Sequence, residues 1–88
     1  MTKPEEVQRV YWHSRRGMLE IDLALMPFAE HQYALLPKDE QETYVRLLTS
    51  EDTDLFAWIL QRRKPEDAKL AAIMEKIIAY AKQGKDTI

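Results

Sequence analysis

The chain has 88 residues and a mass of 10.4 kDa, with 45% apolar and 32% charged side chains, enough for one core and too little for a catalytic domain plus a regulatory one. Cysteine is absent, which excludes disulfides, thiolate metal sites and thiol catalysis and suits a reducing compartment. Thirteen Lys and Arg against 15 Asp and Glu give a net charge of −2, the wrong sign for a protein that lives on nucleic acid phosphates.

From the amino terminus, Met1 to Glu6 has neither the apolar stretch of a signal peptide nor the Arg-rich pattern of a transit peptide, so the chain is expected to stay where it is made. Thr2-Lys3-Pro4-Glu5 reads as a capping box with proline in the first turn, and Val7, Val10 and Tyr11 follow at helical spacing. A first helix is predicted over about 4–12. A second run starts near Arg15, with Leu19, Leu23 and Met26 on one stripe and Met18, Ile21, Leu25 and Phe28 beside it. Its width predicts burial on more than one side. Pro27 removes a backbone donor and clashes with the preceding turn, so the run either kinks there or restarts, and a restart reaching about Tyr33 is the favoured expectation. Leu23 to Ala29, the longest uncharged apolar run at seven residues, falls far short of the roughly 20 needed to span a bilayer.

Pro37-Lys38-Asp39-Glu40 opens a third segment ending near Ser50, with Tyr44, Leu47 and Leu48 facing inward. Glu51-Asp52-Thr53-Asp54 offers capping oxygens for a fourth, packed through Leu55, Phe56, Trp58, Ile59 and Leu60, with Arg62, Arg63 and Lys64 as its solvated end. Pro65-Glu66-Asp67 opens the last helix, whose stripe is Leu70, Met74, Ile77, Ile78 and Ala81 and whose left-handed cap is Gly84. No window carries the alternation of a strand. The expected architecture is therefore a single all-α domain over 1–88, a bundle of about five helices, with 84–88 as a frayed tail.

Enzyme templates find no footing. His13 and His31, 18 residues apart, form no HExxH pattern, so no metal site is predicted, and His31 beside Glu30 suits a local hydrogen bond. Gly-rich phosphate loops are absent, and Ser14 and Ser50 lack the surroundings of a nucleophile elbow. Trp58 and Phe56 are assigned to the core, whereas Tyr11 and Trp12, on a short helix, leave room for one exposed aromatic. No catalytic residue is assigned.

The segment Ser14-Arg15-Arg16-Gly17-Met18-Leu19-Glu20-Ile21-Asp22 stands apart. Placed on a helix, Arg16 and Glu20 lie four apart on one face, and Gly17 leaves that face bare. In one reading Ser14 is an N-cap, Arg16 and Glu20 make a surface pair, and Gly17 eases a turn. In the other, Gly17, at a cost of about 1 kcal/mol in a helix, lets another backbone approach, flanked by a guanidinium and a carboxylate as a docking patch.

On these residues the chain resembles the SdhE family, small factors that assist FAD attachment in succinate dehydrogenase and fumarate reductase. The resemblance is nearly full length. It rests on the RGxxE motif, Arg16-Gly17-Met18-Leu19-Glu20, followed by Met26-Pro27-Phe28 and Asp54-Leu55-Phe56-Ala57-Trp58. It implies a five-helix assembly factor that binds the apo flavoprotein subunit of succinate dehydrogenase or fumarate reductase and promotes covalent attachment of FAD to a histidine of that client. By the same resemblance Arg16, Gly17 and Glu20 centre the partner-binding surface, Met18 and Arg15 lie within it, and Arg9 adds to it. No zinc, heme or tightly held nucleotide is implied, FAD being the client's cofactor. Leu19 fills a variable position with an apolar group, and the transit peptide of mitochondrial members is missing, which suggests a bacterial cytosolic member. A carrier of FAD to the client and a generic helical adaptor are the alternatives; the chain is expected to be monomeric, with exposed aromatics that allow weak self-association.

Overall fold

The computed structural model describes the backbone of residues 2–86 and the side chains of residues 2–83. Five α-helices follow in order: α1 (Pro4–His13), α2 (Leu19–His31), α3 (Lys38–Leu47), α4 (Asp52–Ile59) and α5 (Ala68–Asp86), with one 3-10 turn (Tyr33–Leu35) between α2 and α3. No strand occurs among the described residues. The radius of gyration, 12.1 Å, equals the value of about 12 Å expected for a folded chain of this length.

Helix α2 is the centre. It packs against α1, α4 and α5 and against the 3-10 turn, while α3 closes on α5, so its burial on more than one side is as the sequence predicts. Its buried face is Ile21, Ala24, Leu25, Phe28 and Ala29. The Leu19–Leu23 stripe turns out to face solvent, at 68% and 64% exposure. The small Ala24 and Ala29 let neighbours approach closely, and that places the contact face to one side of the two leucines. Pro27 does not restart the helix; α2 runs through it without a break. Its missing hydrogen bond, which costs about 3 kcal/mol in a helix interior, would have gone to the carbonyl of Leu23, an exposed residue where water can serve as donor. Burial of Phe28 and Ala29 beyond it holds the final turn in place.

Tyr44, fully buried on α3, stacks on Phe28 at 5.6 Å between ring centroids and tilts against Tyr33 at 5.8 Å. Leu47, Leu48, Leu55, Trp58, Met74 and Ile77 continue the core, as the inward stripes of the last three helices predict, and Ile73, outside the predicted stripe, joins them. Leu60 instead lies past the end of α4 and is exposed.

The helix ends depart from the sequence reading in instructive ways. Lys3, not Thr2, caps α1, and the Thr2 hydroxyl accepts from Gln41 at 2.7 Å. Glu51 caps α4 without a side-chain bond, because Asp52 and Asp54 are drawn to Arg16 and Arg63 instead. At α5 the expected acidic start holds: Asp67 accepts from the amides of Lys69 and Leu70 at 2.8 and 3.1 Å and binds Arg46 with both oxygens. Gly84 is not a left-handed cap, since α5 continues through it to Asp86. Of the tail expected over 84–88, Thr87 and Ile88 lie outside the described residues.

Candidate functional site

The segment 14–18 joins α1 to α2, and its shape follows from a few contacts. Ser14 is fully buried and is the C-cap of α1, not an N-cap. Its hydroxyl donates to the Val10 carbonyl at 2.8 Å and lies 2.7 Å from the Tyr44 hydroxyl, which has the Leu25 carbonyl as a longer acceptor at 3.3 Å. With the serine proton committed to Val10, Tyr44 is the donor of the shared bond. Burial pushes the Tyr44 hydroxyl well above its ordinary pKa, so it stays neutral. The first helix is thus fastened to the core where the segment begins.

The next residues leave the helix. Gly17 has φ +81°, in the left-handed region that glycine enters freely and other residues enter at a cost. A Cβ built there would meet nothing within 4 Å, so the conformation and not crowding asks for glycine. The helix placing Arg16 and Glu20 on one face does not exist: α2 begins at Leu19, with Met18 as its extended N-cap.

Arg16 and Glu20 consequently point to different surroundings. The Arg16 guanidinium turns inward, donates to the Leu48 carbonyl at the C-cap of α3 and lies 3.6 Å from the Asp52 carboxylate in the first turn of α4. A cation at that position satisfies the end of one helix and pairs with the start of the next. Its side chain is 19% exposed, and its Nε is buried without a partner among the described residues. Glu20 is exposed and has no hydrogen bond or ion pair among the described residues. They make no surface pair.

The other residues singled out by sequence lie partly in this segment and partly away from it. Arg15 and Gly17 are exposed and Met18 is half-buried against the core. Arg9 is exposed on α1, where its charge reaches the Tyr33 hydroxyl. That hydroxyl donates to Glu6 at 2.9 Å, and burial first, then the Glu6 bond, pushes it up to about 12. Trp12, beside the segment, is 59% exposed with its ring edge-on to Tyr11 at 5.3 Å, the exposed aromatic the short helix allows. His31 faces Tyr80 and Glu30, with Nδ1 2.8 Å from the tyrosine hydroxyl. Three participants escaped the sequence reading: Asp22, which accepts from the backbone of Arg16 and Gly17, the Leu48 carbonyl, and Asp52 as a partner of Arg16. Asp22 had a visible signal, an acid in the first turn of α2 able to reach back over the segment. The Arg16 partners had none, being distant in sequence.

Among the described residues no group of three or more His, Asp or Glu is gathered as metal ligands, and no helix is long and apolar enough to cross a membrane. A surface hollow of about 250 Å³, lined by Glu6, Tyr33 and Gln41 among others, is open to solvent and is not lined by the 14–18 segment. What that segment and the first turn of α2 present to solvent is Arg15, a bare glycine at Gly17 and the unpaired Glu20 carboxylate.

The sequence matches the family described as flavinator of succinate dehydrogenase over residues 8–81. A protein of Pseudomonas putida named FAD assembly factor SdhE is 44% identical over 78 residues, 89% of this chain and 93% of that protein. One of the same name from Vibrio cholerae is 44% identical over 80 residues, 91% of this chain and 93% of its own. The solution structure of a UPF0350 protein superposes with a TM-score of 0.76 at 42% identity, covering 96% of this chain and 89% of that one.

Proposed function

The chain belongs to the family of flavinators of succinate dehydrogenase, and we propose that it is an assembly factor that binds the apo flavoprotein subunit of that enzyme and promotes covalent attachment of FAD to one of its histidines. The observation that carries this reading is the family match over residues 8–81, which takes in the whole RGxxE loop. The flavoprotein subunit of fumarate reductase, an enzyme of like chemistry, is a second client. The contact surface is centred on Gly17 and Glu20, with Arg15, Met18 and Arg9 around them and Arg16 holding the loop from beneath.

The chain contributes geometry and no catalytic group of its own. Bonding a histidine nitrogen to the flavin 8α-carbon requires loss of a methyl proton and close alignment of the two groups within the client. Ser14, the serine nearest the loop, is fully buried and bonded on both sides, so it supplies no nucleophile. Binding that favours the client arrangement with histidine and flavin aligned raises its population. FAD remains the client's cofactor, and the factor works as a monomer in the bacterial cytoplasm, consistent with bacterial relatives such as those of Pseudomonas putida.

The test is gel filtration of the purified chain with purified apo flavoprotein subunit of succinate dehydrogenase, alongside a titration of the chain alone with FAD. Co-elution with no change in tryptophan fluorescence on adding FAD is expected. Separate elution contradicts the proposal, and saturable FAD binding by the chain alone replaces it with a carrier role.

A further inference from the structure

The exposed side of the RGxxE loop owes its character to a residue outside the motif. The Asp22 carboxylate accepts from the Arg16 amide through Oδ1 at 2.7 Å and from the Gly17 amide through Oδ2 at 3.2 Å. One carboxylate thereby takes both consecutive N–H groups of the motif's first two residues. Asp22 is itself fixed: its own amide donates to the Met18 carbonyl at 2.9 Å, and it sits in the first turn of α2, where the helix dipole favours a negative charge.

The peptide geometry sets what remains outside. In a trans peptide the carbonyl points opposite to its N–H, so the carbonyls of Arg15 and Arg16 are turned away from Asp22. Among the described residues no donor reaches them. The Glu20 carboxylate is also exposed and unpaired. With its two donors taken by Asp22, the loop keeps the Arg15 and Arg16 carbonyls as acceptors without a partner among the described residues.

We infer that Asp22 is a positioning residue of the docking loop, holding the Arg16 and Gly17 amides on its own carboxylate so that the Arg15 and Arg16 carbonyls and the Glu20 carboxylate face a cationic side chain of the client flavoprotein subunit. The inference rests on the docking reading above. It assigns Asp22 no contact with the client; the residue acts through the loop it shapes. A guanidinium is the group that fits best, since its planar fork can engage a carboxylate and a carbonyl at once.

The test measures the affinity of the full chain for the apo flavoprotein subunit in the native form and in the Glu20→Ala, Asp22→Ala, Asp22→Asn and Glu20→Ala/Asp22→Ala variants. Amide hydrogen exchange at Arg16 and Gly17 is followed in each free variant. Losing two charge-assisted bonds should weaken binding about tenfold in Asp22→Ala, and less in Asp22→Asn, which keeps one oxygen acceptor. Exchange at both amides should quicken in Asp22→Ala and stay slow in Glu20→Ala. A residue acting through the loop makes the Glu20→Ala effect shrink in the Asp22→Ala background, whereas a merely structural aspartate leaves the two effects additive. Additive effects, or native affinity in Asp22→Ala while Glu20→Ala still weakens binding, overturn the inference and leave the docking reading standing. Native affinity in Glu20→Ala overturns the docking reading and this inference with it.

Discussion

Arg16 and Asp52 are joined across the corner between α3 and α4, with Nη1 3.6 Å from Oδ1, while the same guanidinium donates to the Leu48 carbonyl. The first residue of the RGxxE motif is therefore part of the frame, and its last, Glu20, is part of the surface. That division separates two kinds of loss that a motif alone would merge.

Arg16→Ala removes a charged hydrogen bond to a helix end and leaves Asp52 unpaired, which should cost about 1.5–3 kcal/mol. For a domain of this size that lowers Tm by roughly 6–20 °C. Glu20→Ala, on an exposed site without a partner, should stay within about 0.5 kcal/mol of the native chain. Thermal melts of the two variants check this, and equal losses of Tm would contradict the division.

Gly17→Arg should keep the helical circular dichroism, because a side chain there meets nothing within 4 Å, yet lose Tm, since φ +81° costs about 1–2 kcal/mol for a residue with a Cβ. Gly17→Asn should recover part of that loss, as asparagine tolerates the left-handed region. With the long charged side chain on the docking surface, Gly17→Arg should abolish covalent flavin in the client. A client that is fully flavinylated with this variant contradicts the docking surface.

Ser14→Ala and Tyr44→Phe should each destabilise by about 1–3 kcal/mol, the first by leaving a buried phenol only its longer contact with the Leu25 carbonyl and the second by removing the bond that fastens α1 to the core. Because both lose the same 2.7 Å contact, the double variant should be more stable than the sum of the single losses allows. Urea unfolding of the three variants checks the cycle.

Stability should depend on pH at both extremes. The Arg46 side chain first, and the Leu70 amide next, lower the Asp67 carboxyl from 3.8 to about 2. A depressed native value favours folding above the unfolded value, so this contribution is lost as pH falls from about 4 to about 2. Asp67→Asn should flatten the urea midpoint over that window. Tyr33 is raised from 10.0 to about 12, so its contribution is complete below about pH 10 and lost as pH rises through about 12. Tyr33→Phe should soften that alkaline fall; unchanged profiles in both variants would contradict the assignments.

The five helices were legible because their starts and stripes are local. Pro4, Pro37 and the acids before Leu55 and Leu70 mark beginnings, and periodic apolar residues mark faces. Pro27 misled because its local penalty is offset by packing of Phe28 and Ala29, which only the assembled bundle supplies. Asp52 was read as a cap because spacing cannot show a guanidinium arriving from Arg16. For the site, the sequence singles out the segment Ser14 to Asp22, and the structure leaves Gly17 and Glu20 exposed within it. The helical arrangement of Arg16 over Glu20 failed, since the backbone turns at Gly17 and the partners of Arg16 lie in another part of the chain. Leu19 and Leu23 were placed on an inward stripe because their helical period is sound; which side of α2 faces the core depends on neighbours that periodicity does not name.

Covalent flavin in the client is the most direct readout of the proposed function. In-gel flavin fluorescence would be measured for the succinate dehydrogenase flavoprotein subunit co-expressed with no factor, with this chain, or with its Glu20→Ala variant. Fluorescence that rises with the native chain and falls back with a variant whose Tm is unchanged is the predicted result. Equal fluorescence in all three would contradict it, leaving a helical adaptor for some other partner.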